Sequence, residues 1–190
     1  MSLPPVLTRR PFVFLRHGQS TRNHERRIGG QQDVGLTQRG REEARYALDL
    51  LGAIDWSLAV SSPLARARET AELALGRAPD RLDARLMERH WGEFEGQPIP
   101  ARLPYLDTPA GGESWTAFVD RIVAGLNDAL NAAERPLIVG HSGLIRVIRW
   151  IATGTPEGPR SGNAVPLLMT PEGDRGWEIR PFASQDASRL

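Results

Sequence analysis

Three short apolar runs in this 190-residue chain each end in a turn that carries chemistry. FVFL (12–15) runs into Arg16-His17-Gly18, SLAV (57–60) into Ser61-Ser62-Pro63, and PLIV (136–139) into Gly140-His141-Ser142-Gly143. Apolar runs of four bounded by turn signals are too short for helices and read as strands buried on both faces. Segments with helical spacing alternate with them, which points to a mostly parallel sheet with helices on either face. The expected fold class is α/β, a three-layer α/β/α sandwich around a mostly parallel, mixed sheet. The length suits one domain, 1–190, burying roughly 70% of its unfolded surface.

The helices carry their own punctuation. Thr37 caps a stretch with Ala44, Ala47, Leu48 and Leu51 at helical spacing, and Gly52 stops it. Ser62 reads as the cap of a second helix, with Pro63 at its first position and Gly76 just past its end. From Ser114, residues Trp115, Phe118, Val119, Ile122, Val123 and Leu126 form one apolar stripe. A fourth, more apolar helix follows Gly143. Residues 1–11 and 183–190 read as loose ends.

Composition excludes several chemistries. All 24 basic residues are arginine, so neither a Schiff base nor a lysine-dependent phosphate loop is available. Zero cysteines remove disulfides, thiolate metal sites and a cysteine nucleophile. The four histidines (17, 24, 90 and 141) form no compact ligand pair in sequence, so neither a metal nor a cofactor is expected. With net charge +1 and no basic run, nucleic acid is not an expected partner. No apolar stretch is long enough to span a bilayer, and the N-terminus lacks the layout of a secretory signal. The expected location is cytoplasmic.

In open α/β sheets, ligands bind outside the carboxyl ends of the strands, often at helix N-termini. Two such ends carry a histidine here, and Arg66 falls in the first turn of the second helix. A cation there opposes the helix dipole at a cost of about 0.3–1 kcal/mol, and a bound anion reverses the sign. That is a physical argument for a phosphate site.

Six blocks then occur in order: RHGQSTRN (16–23), LTQRG (36–40), SSPLARARET (61–70), LMERHWGEFEG (86–96), GGES (111–114) and VGHSG (139–143). Together they resemble the histidine phosphatase superfamily, the phosphoglycerate mutase-like group of enzymes, over about residues 12–170. The resemblance implies a phosphoglycerate mutase-like sandwich and assigns roles by position. His17 is the expected nucleophile that becomes phosphohistidine, Arg16 and Arg66 grip the phosphoryl oxygens, and His141 donates to the same oxygens when protonated. Glu88 is the expected acid for the leaving oxygen and base for water, and Asn23 lies near the phosphate. Ser142 and Gly30 complete the expected phosphate-binding set.

Other residues read as structural. His24 and His90 are expected to be satisfied structural histidines, and Trp91 a core residue. Arg22, Arg26, Arg85, Arg89 and Arg102 read as solvated surface charges, with Arg22 and Arg89 able to reach the distal end of a substrate. Gly29-Gly30 stand where relatives commonly have a polar residue before the glycine, which removes a substrate contact. The segment 97–111 is short, so the cover of full-length mutases is expected to be much reduced. The resulting expectation is a phosphomonoester hydrolase acting on a small phosphorylated metabolite. A phosphoglycerate mutase-type phosphotransferase is the alternative, and a non-catalytic phosphate-binding module a weaker one.

Overall fold

A computed structural model of the chain describes residues 5–190, apart from the side chain of residue 189. The elements, in chain order, are β1 (Phe12–Arg16), a single-turn α1 (Thr21–His24), α2 (Gln38–Leu51), β2 (Leu58–Ser61), α3 (Ala65–Leu75), β3 (Arg81–Leu82), α4 (Trp115–Ala132), β4 (Pro136–Gly140), α5 (Ser142–Thr153), β5 (Pro166–Glu172) and β6 (Gly176–Pro181). The six strands form one sheet in the order β3-β2-β4-β1-β5-β6. The first four run parallel, while β5 and β6 are antiparallel additions at one side. The fold is α/β with a mixed sheet.

Alternate strand residues serve opposite faces, which is why the runs are apolar throughout. Phe12, Phe14, Val60, Ile138 and Met169 pack with Phe118, Ile122 and Leu126 of α4 and with Leu144 and Ile148 of α5. Val13, Leu15, Ala59, Leu137 and Val139 pack on the other side with Ala47 and Leu51 of α2 and Ala71 and Ala74 of α3. These two buried clusters make the three layers.

Register decides where the chemistry goes. Ser61 stands opposite Val139, and Gly140 opposite Arg16. The ladder continues one step past the strands: Ser62 N–H donates to the Val139 carbonyl at 3.0 Å, and His17 N–H to the Gly140 carbonyl at 2.9 Å. The tips of β2, β4 and β1 therefore deliver Ser62, His141 and His17 side by side at the carboxyl edge.

Capping follows the expected chemistry at Thr37, whose Oγ1 accepts from Gly40 N–H, and the structure adds a cap at Ser114, whose Oγ accepts from Ala117 N–H. Gly76 and Gly154 close α3 and α5 in the left-handed conformation, with φ of 67° and 73°. Ser62 departs from expectation. The helix starts at Ala65 with Leu64 in the cap position and no side-chain cap. The Ser62 hydroxyl sits upstream because it is engaged with His141 instead. The chain ends also depart from expectation: residues 1–4 of the predicted loose end lie outside the described residues, but Leu7 is buried and Thr8 N–H donates to Asn127 Oδ1 of α4 at 2.7 Å. At the other end Phe182 packs against Trp56, and Asp186 accepts from Arg180. Each end carries an apolar anchor (Leu7 or Phe182) that docks it on the core.

The LTQRG block positions the first loop by backbone contact. A Cβ on Gly40 would collide with the Gln19 carbonyl, and one on Gly18 with the Gly40 carbonyl. Gly40→Ala should therefore cost about 1–3 kcal/mol as an overpacking change. Gly35→Ala, where the added Cβ meets nothing within 4 Å, should be close to neutral. Urea unfolding of both variants checks this; equal midpoints would contradict the close-approach reading.

Candidate active site

A cavity of roughly 520 Å³ opens at the carboxyl edge, and its walls include Arg16, His17, Asn23, Gly30, Arg66, Glu88 and Ser142. His141 stands immediately behind, 1% exposed, with its ring centroid 5.2 Å from that of His17. All eight residues selected from the sequence converge on one place.

His17 projects from the tip of β1. Its Nδ1 lies 2.7 Å from the Gly18 carbonyl oxygen, which can only accept, so Nδ1 carries the proton and Nε2 keeps its lone pair. Burial pushes the His17 imidazole well below its ordinary pKa, and Arg66 and Arg16 push the same way, while the Gly18 bond opposes them weakly. His141 is held well below its ordinary value too, by burial first and then by Arg66, His17, Arg16 and Arg121. Both imidazoles are neutral at neutral pH. The loop after His17 is fastened by Gly18 N–H donating to Thr70 Oγ1 at 3.0 Å, whose hydroxyl donates to the Arg66 carbonyl at 2.6 Å.

The two arginines are aimed by backbone carbonyls. Arg16 Nη1 donates to the Ser161 carbonyl at 2.6 Å. Arg66 donates from Nη1 to Gln32 O at 2.8 Å and from Nη2 to Gly30 O at 2.6 Å. These bonds offset the cost of a cation in the first turn of α3 and leave the guanidinium charge available to an anion. Gly30 has φ +50°, and a Cβ there would run into the Glu95 carboxylate. Glu95 Oε1 in turn accepts from Gln31 and Trp91 N–H groups at 2.9 and 3.0 Å. A side chain at 30 is excluded by Glu95, and the Gly30 backbone is used to orient Arg66.

Glu88 hangs at the N-terminus of α5. Its Oε2 accepts from Gly143 N–H at 3.1 Å and Ser142 Oγ at 3.3 Å, and its Oε1 from Arg89 N–H at 2.8 Å. Asn23 caps α1 reciprocally with Ser20, and its Oδ1 also accepts from Asn163 Nδ2 at 3.3 Å. Asn23 Nδ2 makes no hydrogen bond among the described residues, and the side chain lines the cavity.

Several sequence expectations are corrected. Arg89 is 1% exposed, not a solvated charge or a substrate contact. It donates to Tyr105 O at 2.6 Å, Asp107 O at 2.6 Å and Glu113 O at 2.8 Å, and lies over the Trp91 ring. Arg22 binds Gln32 Oε1 and Glu25 and does not line the cavity, whereas Arg26 does. The short 97–111 segment still builds a wall, from Ile99, Pro100, Ala101, Leu103 and Tyr105. It is fastened by Ile99 N–H donating to Arg26 O at 2.9 Å and by Arg27 donating to Gly96 O at 2.7 Å. The fold also makes His17 and His141 a close pair, which their sequence positions do not suggest; among the described residues no cluster of three potential metal ligands forms.

Sequence reasoning missed Arg27, Arg146, Arg160 and Asn163, which also line the cavity. Asn163 Nδ2 donates to the His17 carbonyl at 2.8 Å. Arg160 and Asn163 lie in the connection between α5 and β5, outside all six blocks. The one available signal was a run of turn-forming residues placed to pass the strand tips.

Residues 12–164 match the family model of the histidine phosphatase superfamily (branch 1). A glucosyl-3-phosphoglycerate phosphatase of Mycolicibacterium vanbaalenii is 35% identical over 171 residues, covering 77% of this chain and 76% of the relative. A 2,3-bisphosphoglycerate-dependent phosphoglycerate mutase 2 of Gloeobacter violaceus is 43% identical over 163 residues, covering 72% and 73%. Among solved structures, that of the open reading frame Rv3214 of Mycobacterium tuberculosis superposes with a TM-score of 0.78 at 26% identity, covering 93% of this chain and 98% of that one.

Two buried neutral histidines set the pH dependence of stability. Their folded pKa values lie below the unfolded value of about 6.5, so the unfolded chain binds more protons in the window just beneath 6.5. Their contribution is complete above about pH 6.5 and is lost as pH falls through it, by up to about 1.4 kcal/mol per histidine per pH unit. Urea titrations at about pH 7.5 and 5.5 should show this loss. His17→Asn combined with His141→Asn should flatten it; an unchanged slope would contradict the assignment.

Proposed function

The chain belongs to the histidine phosphatase superfamily, and within it we propose a phosphomonoester hydrolase that passes the phosphoryl group of a small phosphorylated metabolite through His17. The observation that carries this reading is the His17 Nδ1 bond to Gly18 O, which leaves Nε2 with its lone pair in a cavity between two guanidiniums. A neutral imidazole is a competent nucleophile near neutral pH, where a serine needs a separate base.

In the first step Nε2 attacks phosphorus, a P–N bond forms, and the ester P–O bond breaks. Arg16 and Arg66 set positive charge against the phosphoryl oxygens, which carry the negative charge of the transition state. Glu88 gives its proton to the departing oxygen, so the alcohol leaves neutral. In the second step Glu88 takes a proton from water, the oxygen attacks phosphorus, and the P–N bond breaks to release phosphate and regenerate neutral His17. Asn23, Ser142 and Gly30 complete the surroundings of the phosphoryl group: Asn23 as a donor, Ser142 by holding Glu88, and Gly30 by aiming Arg66.

Beyond the phosphoryl site the cavity is lined by Arg26, Arg27, Arg146 and Arg160 together with the apolar wall of Ile99, Pro100 and Leu103. That lining supports a small organic phosphate rather than a polymer. A phosphoglycerate mutase-type phosphotransferase is the second reading. It is favoured by the 43% identity to the Gloeobacter mutase and by the wall built from residues 99–105, since a mutase must shelter phosphohistidine from water. Net phosphate release from a sugar or glycerate phosphate supports the hydrolase, and an isomerised ester the mutase.

Glu88→Gln tests the mechanism, because acid help matters most when the leaving alkoxide is strongly basic. Phosphorylation of His17 by alkyl esters should fall by about 10²–10⁴, and by much less with a nitrophenyl ester. With the aryl ester the variant should accumulate an acid-labile phosphohistidine in rapid-quench experiments, since water activation is impaired as well. His17→Ala should show no label. Equal slowing of both esters without accumulation would assign the acid to another residue.

A further inference from the structure

The Ser62 hydroxyl is not spent on capping α3, and its actual contacts are specific. Ser62 is 0% exposed and its Oγ lies 2.8 Å from His141 Nε2. The same oxygen accepts from Leu64 N–H at 3.3 Å. The neighbouring Ser61 hydroxyl is occupied elsewhere, donating to the Ser62 carbonyl at 2.9 Å. The other ring nitrogen of His141, Nδ1, is buried and has no partner among the described residues.

These contacts determine where the protons go. Leu64 N–H can only donate, so Ser62 Oγ accepts there and its single proton remains to be placed. Donating it to His141 Nε2 satisfies both groups and puts the imidazole proton on Nδ1. In the opposite arrangement Nε2–H donates to Ser62. The hydroxyl proton is then left without an acceptor among the described residues, in a site closed to water, and Nδ1 becomes a bare lone pair. That lone pair would belong to a ring 5.2 Å from the His17 ring, where it would repel the oxygens of a phosphoryl group. An Nδ1–H would instead find in such an oxygen the acceptor it lacks.

We infer that Ser62 is a positioning residue that fixes the proton of His141 on Nδ1, so that a neutral His141 donates a hydrogen bond to a phosphoryl oxygen on His17. The inference rests on the phosphohistidine reading for its purpose, but not for the tautomer itself. It revises the expectation that His141 must be protonated to donate. The charged groups acting on its ring are Arg66 from α3, Arg16 at the end of β1 and Arg121 from α4, with titratable His17 beside it, and all oppose an imidazolium. A neutral donor avoids that repulsion while the site is empty. Parallel pairing of β2 with β4 supplies the geometry, because it sets Ser62 level with the start of α5.

The test is nitrogen-15 NMR of the full chain labelled at histidine, without phosphate, near pH 7.5, with His141 assigned by its disappearance in His141→Asn. The expected spectrum has the proton on Nδ1 and a bare Nε2. Ser62→Ala should move a substantial share of the proton to Nε2 and lower kcat/KM for nitrophenyl phosphate by about tenfold, mainly in kcat. Ser61→Ala, a comparable loss of a buried hydroxyl next door, should leave the His141 tautomer in place. A wild-type spectrum with the proton on Nε2, or an imidazolium, overturns the inference without any variant. So does an Ser62→Ala protein with unchanged tautomer and rate. The spectrum requires no turnover, so absence of phosphohistidine would sink the functional reading alone and an Nε2–H tautomer this inference alone.

Discussion

Four groups able to carry positive charge crowd one buried corner of this protein: His17, His141, Arg16 and Arg66. Like charges in a low-dielectric site repel strongly, so they cannot all be charged while the site is empty. The structure resolves the conflict by type of residue. The arginines stay charged but direct N–H donors to backbone carbonyls of residues 161, 32 and 30, which hold them without cancelling their charge. The histidines give up their protons. What remains is a fixed positive field around a neutral imidazole with a free lone pair, which attracts a phosphate ester and is chemically ready to react with it.

The rest of the fold can be understood as support for that corner. Parallel pairing of β2, β4 and β1 sets three strand tips level, and the antiparallel strands β5 and β6 close the other side of β1. The mutual approach of Gly18, Gln19 and Gly40 leaves no room for a side chain and holds the first loop against α2. Arg89, buried beneath the 105–113 segment, ties three of its carbonyls to one guanidinium and so shapes the wall beyond Glu88. None of these groups needs to touch a substrate. Each removes a freedom that would blur the distances among the four.

Much of this was legible in the sequence because it rests on short-range rules. Strand runs, apolar stripes, the cap at Thr37 and the six blocks gave the layers and seven of the eight residues at the site, Gly30 alone falling between blocks. What was not legible depends on competition between partners. Ser62 reads as a cap, since serine before proline at a helix start usually is one, yet a histidine from another strand takes its hydroxyl. Arg89 reads as a surface charge because arginine usually is, yet the carbonyls that bury it come from a loop 16 to 24 residues further on. Arg160 and Asn163 reach the site through a connection with no periodic pattern. The ends of the chain read as loose because two apolar anchors, Leu7 and Phe182, are too few to register as an element.

The central claim is that His17 reacts through Nε2 because Nδ1 is committed to the Gly18 carbonyl. The most direct measurement is the position of the phosphoryl group on the trapped intermediate. The chain is incubated with nitrophenyl phosphate, quenched in alkali and digested, and the phosphohistidine peptide is compared by phosphorus NMR with standards of both isomers. The account predicts the Nε2 isomer on His17. The Nδ1 isomer, or phosphate on any other residue, would contradict it.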